Sequence, residues 1–294
     1  MTFPIDLVLP YVNMNDPEWL KLYRKVKPQS YNRDNRFRDA GSIDLLFDLI
    51  DKFCPWLRNI YLVVQSQSQV PNCIDKHKKI KIVLHEDIIP KEYLPTYNSG
   101  EIELFIWKCP DLAEHFIYIN DDTYPVDVLS PEDFFDENGN PKISIKRSYF
   151  EMSKCKMHKQ MLKNSEKLVN PDYNEDFIYS DGHSWNAMKR STWENIFQDH
   201  QSEIYDSLSP FRERKNMVQQ LCTYWHYFNN QYSQRTIKTK YFRWDSIDKD
   251  WVNLYREIKR EGYKIICIND NSTNMDYNWM TAYIKFLLIS ILNA

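Results

Sequence analysis

Two adjacent aspartates end an apolar run in "EHFIYINDDTYP", where Phe116-Ile117-Tyr118-Ile119 is followed at once by Asn120, Asp121 and Asp122. A short apolar run bounded by polar turn formers reads as a buried strand. The three polar side chains therefore fall where that strand leaves its sheet, the edge at which open α/β sheets bind ligands. Paired carboxylates there offer hard oxygen ligands to a magnesium-type ion, which is held by one or two carboxylates together with substrate phosphates. Asn-Asp is also ordinary turn chemistry, and on this stretch alone the turn is the simpler reading.

Other side chains suited to phosphate chemistry are scattered along the chain. In "RDNRFRDAGS", Arg36 and Arg38 stand two apart just ahead of a predicted helix start. In extended chain that spacing aims both at one face, and arginine forks beside free helix N–H groups make an anion site. A solvated turn in which they pair with Asp34 and Asp39 explains them equally well. His183 in "SDGHSW" has the chemistry of a general acid or base, although a lone histidine is more often structural. Arg212 in "SPFRERKN" suits a phosphate clamp or an exposed pair with Glu213. Near the end, "YKIICINDN" repeats the opening pattern, an apolar run closing in Asn269-Asp270-Asn271.

The elements that would position these groups are legible from periodicity. "IDLVLPYV", with Asp6 near its start, "NIYLVVQ" and "IKIVL" read as strands. "SIDLLFDLIDKF" places Ile43, Leu46, Phe47 and Ile50 at helical spacing with Ser42 as N-cap. "SGEIELFIWKC" reads as a helix stopped by Pro110. Strands alternating with helices predict an α/β fold with a largely parallel sheet. Beyond Pro131 the pattern is more helical, with helices over 216–231 and over 246–262, the second stopped by Gly262. The stretch Lys154 to Asp181 shows no element and reads as a mobile loop.

Composition narrows the function. A net charge of -3 argues against a nucleic-acid binder. The five glycines are isolated, so neither a Walker loop nor a G-x-G-x-x-G turn can be built. The six cysteines show no paired or metal-type spacing, and no basic and apolar leader opens the chain, which together point to a reducing, cytoplasmic setting. Aromatic residues at 15% suit a sugar-handling surface or a tyrosine-rich core.

Taken in order, the motifs resemble those of the Stealth proteins, the sugar-1-phosphate transferases of bacterial capsule synthesis and their eukaryotic N-acetylglucosamine-1-phosphotransferase relatives. "IDLVLPYVNMNDPEW" is similar to the family's I-D-x-V-Y-T-W-V-N-G-x-D-P. A second block runs from "RFRD" through "DKFCPWLRNIYLVV", "HEDIIP" and "LPTYNSGEIE" to "EHFIYINDD"; a third holds His183 and "SPFR"; the fourth is "YKIICINDN". The resemblance implies a GT-A-like (Rossmann-like) single catalytic domain over 1–294, with residues 1–130 as the nucleotide-sugar-binding α/β half and 131–294 as a mainly helical half that completes the active site. It implies that Asp6, Asn13, Arg36, Arg38, Asn98 and Asn120 belong to the donor pocket, with Asn269 and Asp270 beside them. Asp121, Asp122, His183 and Arg212 become the catalytic set, and Asp121, Asp122 and Asp270 the ligands of Mg2+ (or Mn2+). The chain departs from the family at Leu9-Pro10-Tyr11, where Tyr-Thr-Trp is usual, and at Met14, where Gly is usual. Ser42, Asp44, Leu46 and Asp48 stand where the family commonly has Glu, Arg, Ser and Arg, which leaves the donor open.

The implied reaction is attack by a glycan hydroxyl on the β-phosphorus of a nucleotide-diphosphate sugar, with UMP leaving and a phosphodiester formed. Two other functions stand beside it: a GT-A glycosyltransferase that releases UDP, and a non-catalytic glycan-binding module. The expected partners are a nucleotide-sugar donor and an oligosaccharide or polysaccharide acceptor, lipid-linked acceptors included, and no nucleic acid. The final "MTAYIKFLLISILNA" is too short to span a bilayer. It reads as a helix closing the core, or as a peripheral contact with the inner face of the cell membrane.

Overall fold

The computed structural model describes residues 1–27, 35–151, 153, 155–180, 182–271 and 277–294. Its elements run β1 (Ile5–Pro10), α1 (Pro17–Val26), α2 (Ile43–Phe53), β2 (Ile60–Val64), β3 (Ile80–Leu84), α3 (His85–Ile88), α4 (Ser99–Phe105), β4 (His115–Tyr118) and β5 (Thr123–Pro125). The chain continues with β6 (Lys142–Ile143), β7 (Lys146–Tyr149), α5 (Met157–Val169), β8 (Phe177–Ser180), β9 (Asn186–Lys189), α6 (Arg190–Ser207) and α7 (Gln220–Phe228). It closes with β10 (Ser233–Gln234), β11 (Thr239–Arg243), α8 (Trp251–Glu261), β12 (Ile265–Asn269) and α9 (Tyr277–Leu292).

The main sheet has the order β3-β2-β1-β4-β9. β1 pairs in parallel with β2 and β4, β2 pairs in parallel with β3, and β9 closes the edge antiparallel to β4. Alternation along each strand divides the core. Leu7, Leu9, Leu62 and Ile117 join the cluster under α2, α8 and α9, whereas Val8, Val63, Phe116 and Tyr118 join the cluster under α4, α6 and α7. With both faces covered, the strands must read as continuous apolar runs. The chain turns left from β1 to β2 and β3 and then returns to the other side of β1 as β4. The crevice beyond the carboxyl ends of β1 and β4 is therefore the topological switch point, where such sheets take their ligands.

Residues beyond 130 are not a separate layer. β9 joins the main sheet, and β12 pairs antiparallel with β5 and parallel with β11 in a second sheet. α9 closes the core through Met280, Tyr283, Ile284, Leu287, Leu288 and Ile291. Among the described residues no helix is long and apolar enough to cross a membrane.

Four expectations change. Between Lys154 and Asp181, both outside the described residues, lie α5 and β8 rather than a loop. Only Met161 and Leu162 among the apolar residues of α5 are fully covered, while buried Lys163, Ser165 and Glu166 occupy its inner face, so the helical period is written in polar residues. Ser42 precedes α2 without capping it, because its hydroxyl is engaged with Tyr124 Oη at 2.8 Å. Arg36 lies in a 3-10 turn over Asn35–Phe37, not in extended chain. The helices expected over 216–231 and 246–262 begin later than their apolar patterns, at Gln220 and Trp251; Gly262 does end the second, in the left-handed conformation at φ 66°.

Candidate active site

A cavity of about 460 Å³ opens at the switch point. Its walls include Arg36, Arg38, Asn120, Asp121, Asp122, His183, Arg212, Asn269 and Asp270, which come from five stretches of the sequence. Backbone pairing explains how they meet. The turn after β4 is tied by the Thr123 N–H and hydroxyl to Asn120 O at 3.1 and 2.6 Å. β5 then runs against β12 in the register Thr123 to Cys267, and the Ile268 N–H reaches Asp122 O at 3.0 Å. The second Asn-Asp pair, Asn269 and Asp270, is thereby delivered beside the first.

The two aspartates of the turn differ sharply. Asp122 is well partnered: His183 Nε2 lies 3.1 Å from Oδ1, while Asn269 Nδ2 and Cys267 Sγ donate to Oδ2 at 3.1 and 3.4 Å. Burial raises its carboxyl, but His183 and the two donors outweigh burial and hold it below the usual range. Asp121 accepts from no described side chain. Burial first, then the charges of Asp122 and Asp39, push it up to about 8.

Arginines face this acidic wall. Arg38 Nη2 meets Asp270 Oδ2 at 2.7 Å, and Arg212 Nη2 donates to Ser99 Oγ at the first residue of α4. Tyr11 donates to Asp39 Oδ2 at 2.9 Å, and Asp39 Oδ1 takes the Gly41 N–H at 2.7 Å. Asp39 thus serves as an acceptor in the wall. Asp34, its companion in the solvated-turn reading, lies outside the described residues.

Three of the expected pocket residues sit elsewhere. Asp6 is at the opposite end of β1, where Arg58 grips its carboxylate at 2.9 and 2.5 Å and the N–H groups of Asn59 and Ala113 complete its shell at 3.1 and 2.7 Å. It locks the amino ends of β1, β2 and β4 together. Asn13 stands next to the cavity-lining Val12, but its side chain holds the Asn15 N–H at 2.9 Å and its backbone is clasped by Gln69. Asn98 is fully buried as the N-cap of α4, accepting from Gly100 N at 3.2 Å and donating to Ser209 O at 3.0 Å and Asn216 Oδ1 at 3.1 Å. It positions Ser99, and through Ser99 it helps position Arg212.

The cavity also contains groups that the sequence reading passed over. Glu103 is buried beneath it, accepts from Tyr118 Oη at 3.0 Å, and Tyr118 Oη in turn accepts from Asn120 Nδ2 at 3.0 Å. Burial raises the Glu103 carboxyl despite Arg212 nearby. Its signal was a glutamate flanked by Ile102, Leu104 and Phe105. Cys267, raised far above the usual thiol range by burial and by Asp122, remains a protonated donor. His85, kept neutral by burial with its value down at about 4, and His158 line other parts of the wall.

Ligand atoms of Asp122, His183 and Cys267 all lie within 4.8 Å of one another. Asp121 and Asp270, expected beside Asp122 as metal ligands, fall outside that group. Asp121, pushed up to about 8 by burial and by the charges of Asp122 and Asp39, lines the same cavity. The carboxylate and amide oxygens of this wall are of the kind that could hold a hard divalent ion.

The family profile of the Stealth protein conserved region 2 matches residues 36–143, the segment that supplies Arg36, Arg38 and the Asn-Asp-Asp turn. The chain shares this conserved region of the Stealth proteins. Among curated proteins it is 29% identical to the exopolysaccharide phosphotransferase cps2G of Lactiplantibacillus plantarum, over 93% of this chain and 89% of that one. It is also 29% identical to the capsular polysaccharide phosphotransferase WcwK of Streptococcus pneumoniae, over 92% and 90%. It is 34% identical to the capsular polysaccharide phosphotransferase LcbA of Aeromonas hydrophila over 76% of its own length, and spans 64% of that protein. In shape the chain is loosely similar to the galactosyltransferase LgtC, at a TM-score of 0.44 and 11% identity over 97% and 95% of the two chains.

Proposed function

We propose that the protein transfers a sugar-1-phosphate from a nucleotide-diphosphate sugar, a UDP-sugar in the first instance, to a hydroxyl of a glycan acceptor in capsular or other surface polysaccharide synthesis. The observation that carries this reading is the single cavity in which Asp121, Asp122 and His183 face Arg38 and Arg212. A diphosphate beside the reacting bond requires that its negative charge be neutralised before an alcohol can approach. The names of the curated relatives point to the same chemistry.

In the proposed reaction the acceptor oxygen forms a bond to the β-phosphorus. The bond from that phosphorus to the oxygen shared with the α-phosphate breaks, and UMP leaves. The acceptor proton passes to His183, whose other role is to remain against Asp122 at 3.1 Å, so that the carboxylate orients the ring and stabilises its charged form. Arg212 and Arg38 hold phosphoryl oxygens as bidentate donors. Asp121 and Asp122, with Asp270 at the edge of the set, would hold Mg2+ (or Mn2+), which when bound supplies charge neutralisation at the diphosphate. The sugar C–O bond is not cut, so anomeric configuration is retained without a covalent sugar intermediate.

Incubation of the purified protein with UDP-, GDP- and CMP-sugars, an acceptor glycan and magnesium, followed by mass identification of the released nucleotide, tests the proposal. UMP supports phosphotransfer. UDP would instead assign a glycosyltransferase, and no metal-dependent nucleotide release would leave a binding module. Peripheral membrane contact belongs to the same proposal, because Phe286 and Ile289 of α9 face outward. Flotation with liposomes that is unchanged by Phe286→Ser would remove that part.

A further inference from the structure

Helix α2 carries Asp44, Asp48 and Asp51 at spacings of four and three, hence along one stripe. It faces His77, which follows the 3-10 turn Ile74–Lys76 ahead of β3 and has a side chain only 3% exposed. His77 Nδ1 is 2.9 Å from Asp51 Oδ2, and Nε2 is 3.4 Å from Asp44 Oδ1 and 4.0 Å from Asp48 Oδ1. None of these four residues lines the large cavity.

A neutral imidazole has one N–H and one lone pair. With the N–H on Nδ1 donating to Asp51, Nε2 directs its lone pair at two carboxylates, and among the described residues no donor reaches it. A buried acceptor facing other acceptors is costly. A cation between them satisfies all three. We infer that His77 Nε2, Asp44 and Asp48 bind a divalent transition-metal ion of the zinc class, with Asp51 as the outer carboxylate that fixes the ring.

The three ligand atoms lie within 4.8 Å of one another. A metal-bound histidine whose second nitrogen donates to a carboxylate is a recurrent arrangement, and imidazole with carboxylates suits zinc better than magnesium. Lys76 Nζ occupies Asp44 Oδ2 at 2.8 Å and leaves Oδ1 for the ion. The bound ion pins α2 to the connection between β2 and β3.

The full chain carrying Asp122→Asn, which disables the Asp122 cluster of the cavity, is dialysed against Zn2+ and its metal content measured by mass spectrometry. A single zinc equivalent is expected, lost on adding Asp48→Asn and bound about 10–100-fold more weakly on adding Asp51→Asn. Zinc should raise the melting temperature of the Asp122→Asn protein and not that of the Asp122→Asn/Asp48→Asn protein. Asp48 is a surface carboxylate, so circular dichroism should show the folds unchanged. If the Asp122→Asn protein takes up no zinc, the inference is overturned. Zinc uptake indifferent to both Asp48→Asn and Asp44→Asn overturns it equally, and neither result bears on phosphotransfer at the cavity.

Discussion

Asp6 and Asp121 sit at opposite ends of the paired strands β1 and β4, and they have opposite electrostatic circumstances. Asp6 is 0% exposed and its carboxylate meets a guanidinium and two backbone N–H groups. Asp121 is only half-buried, yet it stands among carboxylates with no described side chain donating to it and is pushed up to about 8. A carboxylate whose lone pairs are all answered by the protein holds the fold together. One left unanswered within a cavity is available to a ligand, and the surrounding structure carries its cost.

The largest expected effect separates the two directly. Asp121→Asn should lower metal-dependent nucleotide release by about 10²–10³, while its melting temperature equals or exceeds that of the parent; an active variant, or a destabilised one, breaks the contrast. Asp6→Asn should do the reverse. Removing one partner of a buried pair costs about 3 kcal/mol here, the low end of the range because Arg58 is 41% exposed. Urea unfolding should show that loss, with donor KM unchanged in the folded protein.

The pH dependence sharpens the contrast within the turn itself. For Asp121 the folded value, about 8, lies above the ordinary 3.8. Its contribution to stability is therefore complete below about pH 3.8 and is lost as pH rises through 8. For Asp122 the folded value lies below 3.8, so its contribution is present above that pH and is lost as pH falls through the folded value. Thermal melts from pH 4 to 9 without divalent ions should decline towards the alkaline side, and Asp121→Asn should flatten that decline. A parent melt that is equally flat would contradict the assignment. The smallest effect belongs to Asn98, whose replacement by Ala removes the α4 cap at a cost of about 1–2 kcal/mol. Stability should fall by that amount in urea unfolding, with KM for the donor little changed if Ser99 keeps Arg212 in place.

Much of the fold was readable because covered strands leave no room for polar residues. Leu7, Val8 and Leu9 had to be apolar on both faces, and the run ending at Asn120 marked the rim of the sheet. The part of the site on that rim, Asn120 to Asp122 and Asn269 to Asp270, was readable for the same reason. What misled was identity without context. Asp6 has the same side chain as Asp121, and nothing in "IDLVLP" discloses that Arg58 and two backbone N–H groups would close around it. The inner face of α5 hid its period in Lys163, Ser165 and Glu166, whose burial depends on partners such as the Phe177 and Asn174 carbonyls that accept from Lys163.

The amino-acid sequence by itself determined the alternation of strands and helices, the placement of acidic turns at strand ends, and the resemblance to the Stealth proteins. Local periodicity and short motifs carry that information because they depend on neighbours a few residues away. The tertiary structure alone decided which aspartate is answered and which is left to a ligand, that Arg38 stands against Asp270, and that His77 falls beneath the acidic stripe of α2. Those outcomes follow from electrostatic contacts of a few ångströms between residues dozens to hundreds of positions apart, and only the pairing of β5 with β12 and of β2 with β3 sets those distances.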